Sequence, residues 1–136
     1  MSGLHTLGRW LRDRARLTPA RLAIEHPEGE VTYGELEERS DRLAASFMAH
    51  GLERGDRVAT LTSNSPAHVE AFFACAKAAL MLTPLNWRLS PVELAYQVDD
   101  AEPALLLAEA EYDELADAAL AEARHAPARG RLGELG

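Results

Sequence analysis

The chain has 136 residues, 47% of them hydrophobic and 26% charged, and a net charge of −8. That balance excludes a disordered chain and fits one soluble globular domain, while the acid surplus without a basic stripe disfavours nucleic-acid binding. No apolar run approaches the ~20 residues of a bilayer span, no secretory leader is visible, and the single cysteine, Cys75, allows no internal disulfide, so a reducing, cytoplasmic setting is expected.

In chain order, Leu4, Leu7, Trp10 and Leu11 recur at helical spacing and predict a short amphipathic helix ending near Thr18-Pro19. Around it Arg9, Arg12, Arg14, Arg16 and Arg21 face one acid, Asp13. The apolar face is expected to pack on the domain with the arginines solvated. A membrane-surface helix or a targeting peptide is the alternative. Alternation at Leu22 and Ile24, then at Val31 and Tyr33, around a Gly29-containing loop predicts a β-hairpin.

Thr32 with Glu35 three residues on forms a capping box for a helix. Leu36, Leu43, Ala44 and Phe47 line its inner face, and Glu37, Glu38, Asp41 and Arg42 are expected outside. Gly51 should end it in a left-handed conformation, with Leu52 as the hydrophobic contact. Residues 57–62 read as a strand. Asn64 or Ser65 should cap the next helix, with Pro66 in its first turn. From Val69 to Leu82 that helix is apolar nearly all round, so burial on most sides is expected. Leu82 to Leu85 is a short strand that Pro84 confines to a strand end or edge. Ser90 and Glu93 make a second capping box, with Pro91 at the first helical position, for a helix to about Asp99. Ala104 to Ala108 is apolar on both faces, as a buried parallel strand is. Tyr112, Leu115, Ala116, Ala119, Leu120 and Ala123 mark a last amphipathic helix, and His125 to Gly136 lacks periodicity and reads as a loose tail. The alternation implies an α/β fold: an N-terminal helix, a hairpin, then βαβ units building a parallel sheet flanked by helices.

The residues show little chemistry of their own. The five histidines do not stand at ligand spacing from one another or beside Cys75, so no metal site is expected. Cys75 lies within an apolar helix and reads as a packed, inert thiol. Neither G-x-x-x-x-G-K-[ST] nor G-x-G-x-x-G occurs. The only lysine, Lys77, sits in the apolar helix, where it should snorkel to the edge and is a poor phosphate clamp. Asp99 and Asp100 are adjacent at a helix end and read as turn formers rather than acid–base catalysts. No catalytic residue is assigned.

Several segments resemble a known family. Val31-Thr32-Tyr33-Gly34-Glu35-Leu36, Arg42-Leu43-Ala44, Gly51-Leu52-Glu53-Arg54-Gly55-Asp56-Arg57-Val58-Ala59, Asn64-Ser65-Pro66, Pro84-Leu85-Asn86-Trp87-Arg88-Leu89-Ser90-Pro91-Val92-Glu93-Leu94 and Asp100-Ala101-Glu102-Pro103 follow one another as in AMP-forming acyl-CoA synthetases of the adenylate-forming superfamily. The resemblance runs from about Leu4 to about Leu120. One departure is Lys77-Ala78-Ala79, where the family usually has Lys-Ala-Gly; a glycine there would permit a positive φ, so Ala79 is expected to shift the helix end slightly.

The resemblance implies residues 1–124 as the incomplete N-terminal portion of an AMP-binding ligase domain, followed by the tail 125–136. It implies a full enzyme of fatty acid metabolism that uses ATP, Mg and CoA to convert a carboxylic acid to acyl-CoA through an acyl-adenylate. The family's phosphate-binding loop with its lysine, its magnesium-holding acid, its ribose-holding aspartate and its C-terminal lysine all belong to later positions. The fragment is therefore expected to hold no cofactor and to be inactive alone. By resemblance Arg88 lies near where the CoA nucleotide binds in some members, and its guanidinium suits a phosphate; pairing with Glu93 or simple solvation is the alternative. Asn86 and Trp87 are expected to shape the turn. Phe72 and Phe73 are expected in the core, with an acyl pocket of the full enzyme as their other possible use. A stand-alone, non-catalytic binding module and a poorly folding gene fragment are the competing readings. Sequence also suggests self-association, since the apolar helix and the strand Ala104–Ala108 each expect cover on both faces.

Overall fold

The computed structural model describes residues 3–27, 29–63 and 65–132, and of residues 3–6 the backbone alone. It begins with α1 (Gly3–Leu17), followed by an antiparallel hairpin of β1 (Leu22–His26) and β2 (Gly29–Thr32). Then come α2 (Tyr33–Ala49), β3 (Arg57–Leu61), α3 (Pro66–Ala78), β4 (Met81–Leu85), α4 (Pro91–Ala101) and β5 (Leu105–Ala108). A single 3₁₀ turn (Ala110–Tyr112) leads to α5 (Asp113–Glu122) and β6 (Ala128–Arg131). The last four strands make one parallel sheet in the order β4-β3-β5-β6.

Both expected capping boxes form. Thr32 Oγ1 accepts from Glu35 N while Glu35 Oε1 accepts from Thr32 N, and Ser90 and Glu93 repeat the exchange. Ser65 stands at the N-cap of α3 but its hydroxyl makes no capping bond; Asn64 lies outside the described residues. Gly51 (φ 88°) closes α2 as expected: Leu52 N donates to Phe47 O and Gly51 N to Met48 O, and Leu52 packs in the same cluster as Phe47. Ala79 closes α3 with the same geometry. At φ 57° and ψ 40° it is left-handed, and Leu80 N donates to Cys75 O. Ala79 takes the conformation a glycine prefers, at a steric cost of about 1–2 kcal/mol.

The sheet is covered on both faces. Val58, Leu105 and Leu107 face α2 and α3 with Phe47, Ala74, Cys75 and Leu80. Ala59, Leu61, Leu106 and Ala108 face α4 and α5 with Leu94, Val98, Ala116 and Ala119. All four residues of β5 are buried: helices from within these 136 residues supply the cover on both faces that its apolar sequence calls for, which leaves no bare face on this strand. α3 buries Ala71 and Phe73 to Ala76, while its first five residues and its last two are half-buried and Phe72 is exposed, less burial than its apolar sequence led one to expect. It is shorter than the apolar run suggested, because Met81 and Leu82 belong to β4, where Pro84 stands in an edge strand.

The segment read as a loose tail contains β6, the fourth parallel strand. Its sequence Ala-Arg-Gly-Arg has no apolar alternation to announce it. Backbone pairing with β5 holds it, together with Arg129 and Arg131 bridging to Asp113, and Leu132 just beyond it is buried in the core. Asp113 stays well below the ordinary carboxylate range, first through its hydrogen bond from Arg129 and then through Arg131.

α1 lies across α2 and α3. Leu11 is buried with Val31, Leu36 and Phe73, and the Trp10 ring stacks on Phe73 at 6.3 Å. Arg14 sits 5.5 Å from the Tyr33 ring centroid. Gly8 permits the close approach, since a β-carbon there would stand 3.2 Å from Lys77 Cγ. The expected packing of the apolar face on the domain is what the structure shows.

Candidate functional site

The four parallel strands point one way, so their carboxyl ends form one edge, from which the loops after Leu61, Leu85 and Ala108 emerge. Strand order reverses between β3 and β5: the chain leaves β3 through α3 to one side and returns through α4 to the other. Open α/β sheets hold ligands at such a switch point.

Two carboxylates organise that point. Glu109, the residue after β5, accepts from the Thr62 hydroxyl and from Ser63 N at 3.1 Å, tying the ends of β3 and β5 together. Glu111 accepts from Ser63 Oγ at 3.2 Å. Behind them Ser65 Oγ and His68 Nδ1 are buried without a hydrogen-bond partner. Burial pushes the His68 pKa down, and the negative charge of Glu109 pulls it the other way. Beside this cluster is a cleft of about 550 Å³, bounded by the hairpin at Glu30, by Arg39 and Arg42 of α2, and by Ser65 and Glu70 at the start of α3. Arg39 is committed within it, to Glu70 at 3.2 Å and Glu35 at 3.5 Å.

Arg88 lies on the same edge, in the loop after β4. Asn86 Oδ1 accepts from Arg88 N at 2.9 Å and Asn86 O from Leu89 N at 3.1 Å, so Asn86 shapes the turn as expected. The Trp87 ring stacks on Tyr112 at 5.7 Å and 24°, and the Arg88 guanidinium lies 5.0 Å from the Trp87 centroid. Arg88 does not pair with Glu93, whose carboxylate closes the capping box on Ser90. Arg88 is exposed, and its guanidinium is held over the indole.

Lys77 is placed differently from expectation. It does not snorkel to open solvent; its side chain is 9% exposed in the seam between α2 and α3. Nζ donates to Glu37 Oε1, to Ser40 Oγ at 2.8 Å, to Asp41 Oδ1 at 2.7 Å and to Glu37 O at 3.2 Å. Glu37, expected outside, turns inward to meet it. The cause is tertiary: α2 runs beside α3 and brings four acceptors from three of its residues to one point.

Cys75 is buried, and desolvation raises its thiol pKa to about 12, which leaves it unreactive. Asp99, within α4, is not the local turn former expected: its Oδ1 accepts from Arg124 N and His125 N, both at 2.8 Å, and so ties α4 to the segment that follows α5. Phe73 is in the core; Phe72 meets it edge-on at 5.2 Å and remains partly exposed. Among the described residues there is no group of three or more metal-ligating side chains. The arrangement can position hydroxyls and carboxylates at the switch point and offers one free guanidinium beside an aromatic platform. Glu109, Thr62 and Ser63 were not singled out in the sequence. The one available signal was an acid placed directly after a strand apolar on both faces.

Comparisons with known proteins place this geometry. The family described as "AMP-binding enzyme" matches residues 11–134. A feruloyl-CoA synthase of an Amycolatopsis species is 42% identical over 118 residues, covering 87% of this chain and 24% of the relative. An indoleacetate–CoA ligase of Aromatoleum aromaticum is 35% identical over 132 residues, 91% of this chain and 26% of that protein. Among solved structures, the N-terminal domain of FACL13 from Mycobacterium tuberculosis superposes with a TM-score of 0.87 at 28% identity, over 95% of this chain and 34% of that one. The chain spans about a quarter of the length of the curated relatives it matches. It belongs to the AMP-binding enzyme family, the adenylate-forming ligases, and carries an N-terminal segment of that architecture.

Proposed function

We propose that this chain is the opening part of an ATP-dependent acid–CoA ligase of the cytoplasm, and that these 136 residues do not form an acyl-adenylate unaided. The whole enzyme would join a carboxylic acid to AMP and pass the acyl group to the CoA thiol. The relatives support the reaction class but spread over aryl and fatty acids, so the acid is left at the level of a carboxylic acid.

The observation that carries the proposed inactivity is the state of Lys77. Phosphoryl chemistry needs cations and oriented N–H groups around the phosphates. The one lysine of the sequence is bound by Glu37, Ser40 and Asp41. At the switch point the Ser63 N–H is already taken by Glu109, and Glu109 and Glu111 would repel a triphosphate. These residues do not fit ATP with Mg. Arg88 fits a lesser task, contact with a phosphate of CoA, because it is exposed, unpaired among the described residues and pre-oriented by Trp87. Any self-association would run through the open edge of β6 rather than through a bare sheet face.

The test is calorimetric titration with CoA and with ATP, alongside pyrophosphate release with ferulate, indoleacetate and a fatty acid. The expected result is no pyrophosphate, no micromolar ATP binding, and weak CoA binding that the substitution Arg88→Ala diminishes. Pyrophosphate release by the purified chain would overturn the reading of inactivity, and CoA binding indifferent to Arg88→Ala would overturn the assignment of Arg88.

A further inference from the structure

Packing uses only one side of α1. Gly8 and Leu11 face inward, and the outer arc carries Arg9, Arg12 and Arg16 on one flank and Leu17 on the other, with Asp13 between; beside Leu17 the Trp10 ring packs one side on Phe73 and Tyr33 and leaves the rest of its surface open. At 100° per residue the three arginines fall within about 60° of arc, and Leu17 and Trp10 within about 20°. Leu17 is 75% exposed and Trp10 is 47% exposed. Among the described residues none of the three arginines has an ion-pair partner; the salt bridges of the molecule lie elsewhere. Residues 1–21 hold five arginines and one acid, a net +4 on a chain of −8, so the remainder carries −12.

We propose that α1 docks the protein reversibly on an anionic membrane surface, with Arg9, Arg12 and Arg16 at the headgroup phosphates and Trp10 and Leu17 in the interfacial layer. A helix with a cationic flank beside an aromatic and an aliphatic side chain matches the chemistry of that interface. The acidic remainder orients the molecule so that α1 leads. The same remainder would be repelled by a nucleic acid lying along it, and an acidic protein surface would leave Trp10 and Leu17 without a use. Each arginine near the surface raises binding roughly fivefold, so three give about a hundredfold, a weak and salt-sensitive attachment.

Flotation of the full chain with phosphatidylcholine vesicles, with and without 30% phosphatidylglycerol, tests this. The protein is expected to float with the anionic vesicles alone, to be released by 0.5 M salt, and to lose about a hundredfold in partitioning as R9Q/R12Q/R16Q. These arginines are solvent-exposed, so an unchanged circular dichroism melt is expected and verifies the fold. Trp87→Phe leaves Trp10 as the sole tryptophan, whose fluorescence should then be quenched by brominated acyl chains. Absence of flotation, equal flotation with neutral vesicles, or an unquenched Trp10 overturns the proposal. So does a dimer in sedimentation that the triple substitution abolishes, which would make a second copy the occupant.

Discussion

Ala79→Gly offers the sharpest check on the backbone. Ala79 is left-handed and only partly buried, closing α3 where Gly51 closes α2. Replacing it with glycine relieves about 1–2 kcal/mol of steric cost. Against that stand about 0.4–1 kcal/mol of extra unfolded-state entropy and about 0.4 kcal/mol for a half-buried methyl group. The net expectation is a gain of about 0.5 kcal/mol, roughly 2 °C in Tm for a domain of this size. Ala78→Gly, one residue earlier and still helical, carries the opposite sign: it should cost about 1 kcal/mol, or roughly 4 °C. The pair of substitutions therefore splits by about 6 °C in thermal and urea melts followed at 222 nm. If both lowered Tm equally, residue 79 would not be left-handed and the twin-cap geometry would be wrong.

Lys77→Ala should destabilise by about 3 kcal/mol, because it leaves Glu37 and Ser40 without their cation in a buried seam; Lys77→Met should cost ~1 kcal/mol less by keeping the stem beneath Gly8, and urea midpoints for the two decide the matter. His68 is held below its ordinary 6.5 in the folded chain, so acid protonates the unfolded state first: stability should be complete above that pH and decline as pH falls below it, by at most about 1.4 kcal/mol per unit. His68→Leu should flatten that slope, and Glu109→Gln, by removing the charge that pulls the His68 pKa upward, should lower it further in an NMR titration. Cys75, with its thiol near 12, should resist iodoacetamide at pH 8 in the native protein and react once urea exposes it.

What could be read from the residues was whatever local chemistry decides. Thr32 with Glu35 and Ser90 with Glu93 announce helix starts because each box is complete within four residues, and Gly51 announces an end because few other residues accept its φ. Ala104 to Ala108 announced a doubly covered strand through uniform apolarity. β6 was missed because Ala-Arg-Gly-Arg owes its place to β5 and Asp113, which are specified elsewhere in the chain. Lys77 was misplaced for the same reason, since three of its acceptors lie 36 to 40 residues away on α2. Of the candidate site, Arg88 was visible through its motif, but its stacking on Trp87 was not. The pairing of Glu109 with Thr62 and Ser63 crosses two helices and two strands, a distance that no local pattern encodes.

The placement of β3 at the middle of the sheet has a consequence for the ribosome. β4 completes one flank of β3 by residue 85, but β5, which seals the other, begins at residue 105. At about 5–20 residues per second, the newly made strand waits about one to four seconds with an open hydrogen-bonding edge. Pro84 blunts the far side of the pair meanwhile, because it has no N–H to offer a passing strand. A slow codon between the two positions would lengthen that exposure, and a nascent chain paused there would be a natural client for chaperones.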